Sequence, residues 1–230
     1  MTRIANGRPV ENGPRSRDAT DQLLAGLRTG NFRPAAWCGF LIAATHRSVC
    51  EAVRHPRALA EATVLHGALG LLAERRRPGW IATSWAMTAL HLGLLEERRT
   101  LGLANTLTLI RANLPVLESR VGPVLPVVAL VTDFLDGTIA RRTGTTTRFG
   151  AQADVLTDTV VWTWFALRHE PSLLVRIATI SAWAVPVVTI TVASFRRGEM
   201  VDLRRPDWAR PGAVMEVVLC LRALTRLRHP

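Results

Sequence analysis

The sequence predicts an all-α fold, a polytopic membrane helical bundle of roughly six transmembrane helices. Three observations carry that prediction. Hydrophobic residues make up 48% of the 230 residues although 20% are charged, so the charges must be segregated from apolar runs. Those runs recur at helical lengths, without strand alternation or an internal repeat. Arginines cluster at their ends: Arg75 to Arg77, Arg98 and Arg99, Arg141 and Arg142, Arg196 and Arg197, Arg204 and Arg205. Basic residues flank membrane spans in this way.

Taken in order, residues 1–18 hold Gly, Pro, Asn and charge, a composition that predicts disorder. Residues 19–30, ATDQLLAGLRTG, predict a short amphipathic helix with Leu23, Leu24 and Leu27 on one side. Residues 35–53 predict a further helix. Apolar helical segments follow at 57–73, 80–95, 101–118, 121–140, 151–168, 172–195 and 211–224. Several are shorter than the ~20 residues that comfortably span a bilayer. The clearest span is 172–195, with one charge, Arg176, near its start and a kink expected at Pro186. Breaks are expected at Pro78-Gly79, Gly122-Pro123, Pro171 and Pro211-Gly212. Segment 101–118 carries Arg111 and Asn113 near its middle. An arginine at that depth costs roughly 2.5–3.5 kcal/mol on insertion scales, so it needs a partner in the bundle, a water-filled cavity, or a place among headgroups.

The net charge is +11, and every basic residue is Arg. An anionic partner is implied, and two classes qualify: nucleic acid or an anionic lipid leaflet. The arginines sit at the ends of apolar runs and not in a patch with interleaved aromatics, which favours lipid and excludes nucleic acid as the expected partner. Cys38, Cys50 and Cys220 form no CxxC pair, so neither a disulfide framework nor a cysteine metal site is expected. They read as small buried hydrophobes. The N-terminus lacks the short apolar core of a signal peptide. The six His show no metal spacing; His66 and His91, alone in apolar runs, predict packed or interfacial side chains.

One stretch breaks the apolar pattern. Residues 132–158, TDFLDGTIARRTGTTTRFGAQADVLTD, hold Asp133, Asp136, Asp154 and Asp158. Spacings of three and four put each pair on one helix face. The intervening RRTGTTTR reads as a loop joining two antiparallel helices, so all four carboxylates can converge. Clustered carboxylates take up protons or bind cations. Oxygen-only ligands suit hard divalent ions, and Mg²⁺ characteristically binds one or two carboxylates together with substrate phosphates. Gly137, Ala140 and Gly150 lack bulk and let a ligand approach the backbone. Arg141 supplies a phosphate-pairing cation beside them.

Written out, the pattern is D-x2-D-G-x2-A-R-x8-G-x3-D-x3-D, filled by Asp133, Asp136, Gly137, Ala140, Arg141, Gly150, Asp154 and Asp158. It resembles the signature of the CDP-alcohol phosphatidyltransferase family (class I) at every specified position. Upstream, ANTLTLIRANLP resembles the family's N-x-L-T-x-x-R segment, here Asn105, Leu107, Thr108 and Arg111. The resemblance covers roughly residues 101–225 and implies a six-helix membrane bundle with its site at the cytoplasmic leaflet. Only about five apolar segments are visible from residue 101 onward, so the last family helix is missing; the helix at 80–95 is a candidate for its place. The expected division is 1–30 as an N-terminal segment, 31–100 as a helical extension and 101–230 as the family core.

The resemblance further implies two divalent ions, Mg²⁺ or Mn²⁺, and transfer of a phosphatidyl group from a CDP-linked lipid such as CDP-diacylglycerol to an alcohol, with release of CMP. Asp133, Asp136 and Asp154 would hold the ions, and Asp158 would accept the proton of the attacking hydroxyl while also touching one ion. Gly137, Ala140, Arg141, Gly150 and Arg111 would serve the nucleotide and polar pocket. Arg196, Arg197, Arg204, Arg205 and Arg210 are candidates either for a phosphorylated acceptor or for lipid anchoring. The expected location is the plasma membrane, multi-pass, with the site facing the cytoplasm, and a homodimer is conceivable. The competing readings are an intramembrane prenyltransferase and a non-catalytic membrane homologue.

Overall fold

The computed structural model describes residues 16–73, 77–201 and 205–228. These form ten α-helices joined by short 3-10 turns: α1 (Ser16–Thr29), α2 (Pro34–Arg54), α3 (Pro56–Leu72), α4 (Pro78–Leu90), α5 (Gly102–Ala112), α6 (Glu118–Val121), α7 (Leu125–Arg142), α8 (Arg148–His169), α9 (Leu173–Arg197) and α10 (Arg205–Arg228). No strand occurs among the described residues. Of the segment expected to be disordered, residues 1–15 lie outside the described residues, while Ser16 onward already belongs to α1.

Proline sets several boundaries. Pro34, Pro56 and Pro78 open α2, α3 and α4, where their missing N–H is no loss. Pro115 acts the other way. Segment 101–118 is not one helix: α5 stops at Ala112 and a 3-10 turn, Leu114–Leu117, follows. A residue before proline is pushed out of the α region, and the proline offers no N–H to continue the ladder. The break expected at Pro211-Gly212 is also corrected. α10 runs through Pro211, and Gly212 is a packing residue. A Cβ there would meet the Trp183 ring of α9 at 2.8 Å, so glycine is what lets the two helices touch.

From α3 onward the helices run alternately between two ends of the bundle. His55, ahead of α3, contacts the Glu96 carbonyl, and Arg148, opening α8, pairs with Glu96 at 3.3 Å. These define one end. Arg77 pairs with Glu118 at 2.7 Å at the other. α2 lies across the first end. Trp37 near its start packs on Phe195, and Glu51 near its finish packs on Gly93. The amphipathic α1 docks there too: Arg28 donates to the Arg197 carbonyl and Asp21 accepts from the Met200 N–H. α9 closes on Gly198, whose left-handed φ of 70° ends the helix beside α1.

Two apolar clusters hold the bundle. One joins α7, α8 and α10 through Leu125, Ala129, Trp162, Phe165 and Leu219. The other joins the N-terminal extension to α5 and α8 through Ala58, Ala62, Leu95, Leu109 and Phe149. α4 stands beside α5 and α8 with a cavity of about 450 Å³ between them. Cys220 is buried as expected, but Cys38 and Cys50 are exposed on α2. His66 is packed, contacting the Ala62 carbonyl and the Ser84 hydroxyl. Among the described residues one helix, α9, is long and apolar enough to cross a membrane, with 25 residues and a mean hydropathy of 1.9. α7 and α8 have comparable length, but their carboxylates dilute the apolar signal.

Candidate active site

Three helices bring the signature together. α7 carries Asp133 and Asp136 toward the end of the bundle where α2 lies, and α8 carries Asp154 and Asp158 back from it. Asn105, Thr108 and Arg111 recur every three residues along one side of α5. At ~1.5 Å per residue, Arg111, Asp136 and Asp158 lie at depths of roughly 9–15 Å from that end. The two aspartate pairs therefore meet at one level.

Arg111 is at the centre. It has no exposed surface. Its Nη1 is 2.6 Å from Asp133 and 3.4 Å from Asp136; its Nη2 is 2.5 Å from Asp154 and 3.2 Å from Asp158. Of the three settings open to Arg111 from the sequence, the structure places it in a bundle of partners. Thr108 donates to Asp136 Oδ2 at 2.8 Å, which fixes that carboxylate. Oxygens of Asp133, Asp154 and Asp158 all lie within 4.8 Å of one another. Asp136 is turned toward Thr108 and Arg111, outside that tightest group. Asp158 is buried, and its Oδ1 makes no hydrogen bond.

The glycines have contacts that explain them. A Cβ on Gly150 would meet Asn105 Oδ1 at 2.5 Å. Asn105 also donates to the Leu101 carbonyl at 2.7 Å and reaches the Thr147 hydroxyl at 3.3 Å. Thr147 caps α8 by accepting from the Gly150 N–H at 2.9 Å. The start of α8 is thus locked onto α5. A Cβ on Gly137 would meet Arg141 Nη1 at 3.0 Å, because the arginine folds back over it one turn away. Gly137 and Ala140 are half-buried and Arg141 is exposed, so they rim the site and do not enter it. Arg196 and Arg197 are exposed at the same end; Arg204 lies outside the described residues, as do the side chains of Arg205 and Arg210.

One residue was missed from sequence. Glu216 of α10 is buried and within electrostatic reach of Asp133, Arg111 and Asp154. The signal was present: a lone acid inside the apolar run GAVMEVVLC. An ionisable residue in such a run is a functional candidate by default.

The match to known proteins decides the lineage of this site. The family model for CDP-alcohol phosphatidyltransferase matches residues 101–221, more than half of the chain. The chain belongs to the CDP-alcohol phosphatidyltransferase family. No curated protein and no solved structure matches it. The matched region begins at α5 and ends within α10, so it encloses Asn105, Arg111, all four aspartates and Glu216. Membership implies transfer of a phosphatidyl group from a CDP-alcohol to an alcohol acceptor, in a membrane-associated family that uses divalent metal ions. The donor set fits such ions: every ligand is a carboxylate oxygen, three lie within reach of one ion, and one buried oxygen stands unbonded.

Proposed function

We propose that this protein is an integral membrane enzyme that transfers the phosphatidyl group of CDP-diacylglycerol, or a related CDP-lipid, to a small alcohol and releases CMP. The observation that carries the reading is the convergence of all four signature aspartates around Arg111 on α5, α7 and α8. Membrane embedding is supported by α9 and by the apolar surfaces beside it. Leu173, Leu174 and Ile177 of α9, with Val214, Val217 and Leu221 of α10, are all exposed. Soluble monomers rarely expose contiguous apolar faces on this scale.

Asp133, Asp136, Asp154 and Asp158 would hold Mg²⁺ or Mn²⁺. Bound there, the ions supply charge neutralisation for the pyrophosphate. The protein's own residues do the rest. Arg111 neutralises part of the carboxylate charge and fixes the spacing of α7 and α8. Arg141 at the rim pairs with donor phosphate. Gly137 and Ala140 form the rim beside Arg141, and Gly150 lets Asn105 of α5 pack against the start of α8, which holds the nucleotide side of the site in place. The alcohol oxygen forms a bond to the β-phosphorus, the bond from that phosphorus to the bridging oxygen breaks, and CMP departs with the electron pair. The hydroxyl proton passes to Asp158, whose Oδ1 is the carboxylate oxygen without a hydrogen bond.

The test is purified protein in lipid nanodiscs with labelled CDP-diacylglycerol and a panel of alcohols, with CMP release measured. Acceptor-dependent CMP release that stops with chelator and returns with Mg²⁺ or Mn²⁺ is expected. Full turnover in excess chelator would contradict the assignment of the aspartates.

A further inference from the structure

Where the C-terminal ends of α1 and α9 meet, they border a cavity of about 350 Å³. Arg28, Thr29, Asn31 and Arg197 line it, with Ala25 and Gly198 where the two helices touch. Glycine permits that touch: a Cβ on Gly198 would lie 3.4 Å from the Ala25 Cα and 3.1 Å from Arg28 Cδ. The contact brings two guanidinium groups to one hollow. Arg28 uses Nη1 to donate to the Arg197 carbonyl at 2.7 Å. Neither side chain pairs with a carboxylate among the described residues. Asn31, in the left-handed region at φ 49°, turns the chain from α1 toward α2.

Charge favours an anion in this hollow. The C-terminal ends of α1 and α9 each carry about half a negative charge. α2 opens at Pro34, three residues after Asn31, with no side chain capping its N-terminus, and that end returns about half a positive charge. Of the nearby acids, Asp21 accepts from the Met200 N–H and Glu199 is exposed outside the lining. Two full charges on Arg28 and Arg197 outweigh what remains. Guanidinium forks match phosphate oxygens, and a second N–H edge is open on each arginine.

The setting selects the source of that phosphate. α9 is long and apolar enough to cross a membrane, and the cavity lies at its basic end. The headgroup zone is roughly 5–8 Å deep on each side of the hydrocarbon. At ~1.5 Å per residue, Val192 lies about 8 Å along α9 from Arg197. Val188 and Val192 are exposed and share a stripe with Arg196, and Phe32 is exposed directly after Asn31. A phosphate held at Arg197 therefore has apolar surface one headgroup depth away. We propose that this cavity binds the phosphate group of an anionic phospholipid, with Arg28 and Arg197 as its cationic partners and the Asn31 amide as a neutral donor. A choline headgroup would bring its own cation into this field and be repelled. The inference rests on the membrane embedding proposed above and not on the transferase chemistry.

The experiment is native mass spectrometry of the full chain in detergent, titrated with phosphatidylglycerol and, separately, with phosphatidylcholine. Phosphatidylglycerol should bind more tightly by about tenfold or more, the scale of one charge-assisted hydrogen bond. Arg28→Gln and Arg197→Gln should each remove most of that preference. Arg99→Gln, at an exposed arginine outside the cavity, should leave it intact. Equal losses in all three would mean that net charge alone draws the lipid, and would overturn the site. Equal affinity of the parent for the two lipids would overturn it as well. Inorganic phosphate and glycerol 3-phosphate at millimolar concentration should not displace the lipid; displacement would assign the cavity to a soluble phosphate and overturn the lipid assignment. If a variant does not fold, the parent's lipid preference and the phosphate competition decide. CMP release does not enter these measurements, so this proposal and the transferase reading fail separately.

Discussion

An arginine without exposed surface is tolerable only among anions, and four aspartates are tolerable together only around cations. Arg111 and the aspartates therefore depend on each other. Arg111→Met should leave the carboxylates uncompensated and destabilise the fold by about 3–5 kcal/mol. Arg111→Lys should recover only part of that, because a point charge cannot reach two pairs as the guanidinium fork does. Denaturant unfolding in detergent without divalent ions measures both, and added Mg²⁺ should narrow the gap. Equal stability for Arg111→Met and the parent would show that Arg111 is not the counter-ion. The aspartates themselves divide by environment. Asp158→Asn should lower CMP release by about 10²–10⁴-fold, the usual contribution of a general base, while CDP-lipid binding persists. Asp136→Asn, which removes the charge of a carboxylate that Thr108 holds in place, should weaken donor binding together with turnover. A donor affinity that falls equally in both variants would remove the case for Asp158 as base.

Between helices, the contacts that position the site are short and few. Gly150→Ala would push a methyl group into Asn105 Oδ1, and overpacking of this kind costs about 1–3 kcal/mol. Asn105→Ala should relieve the clash, so the double variant should lose less than the sum of the two singles. Strict additivity would mean that α5 and α8 do not meet there. At the far end Glu170 ties the α8–α9 corner to α10 through Arg222 and Arg226, at 2.8 and 2.6 Å. Burial alone would raise its pKa. Hydrogen bonds from Arg222, the Ser172 N–H and Arg226 outweigh that and hold it at about 2, below the ordinary 4.5. A depressed folded-state pKa contributes stability above the unfolded value, and that stability is lost as pH falls toward the folded one. The stability difference between the parent and Glu170→Gln should therefore shrink from about pH 4.5 down to about 2, as followed by unfolding at each pH. How far the elements were legible depends on whether local chemistry or packing set them. The aspartate spacing, the loop between α7 and α8 and the span of α9 are local and were readable. The end of α5 at Ala112 needed the weight of Pro115 against an apolar run. Gly212 looked like a breaker because its partner, Trp183, is distant in sequence. Glu216 was overlooked although a lone acid in an apolar run is itself a signal; what residues 211–224 cannot announce is that α7 and α8 lie beside it.

At the scale of the molecule, the site lies nearer one end of the bundle, and that end is the more basic. Around it lie Arg54, Arg57, Arg98, Arg99, Arg141, Arg142, Arg148, Arg196 and Arg197, whereas among the described residues the far end carries Arg77, Arg120, Arg168, Arg176, Arg222 and Arg226. Arginine bias of this kind orients a membrane protein with the richer end in the cytoplasm. Here that orientation would expose the site to cytoplasmic nucleotides and acceptors. α2 lies across the basic end and supplies a reporter already in the chain. Cys50 is exposed one turn before Arg54, while Cys220 is buried in the bundle. Cys38 is exposed too, but it shares the apolar face of Ile42 and Val49, so Cys38→Ser removes it from the experiment. With that variant, a membrane-impermeant maleimide should label Cys50 in inside-out vesicles and not in intact cells. Labelling in intact cells would place the basic end and the active site outside, and the donor would then have to be supplied from the wrong side of the membrane. Absence of label from both preparations, with labelling after detergent, would mean instead that α2 is sunk in lipid and does not lie across the exposed end of the bundle.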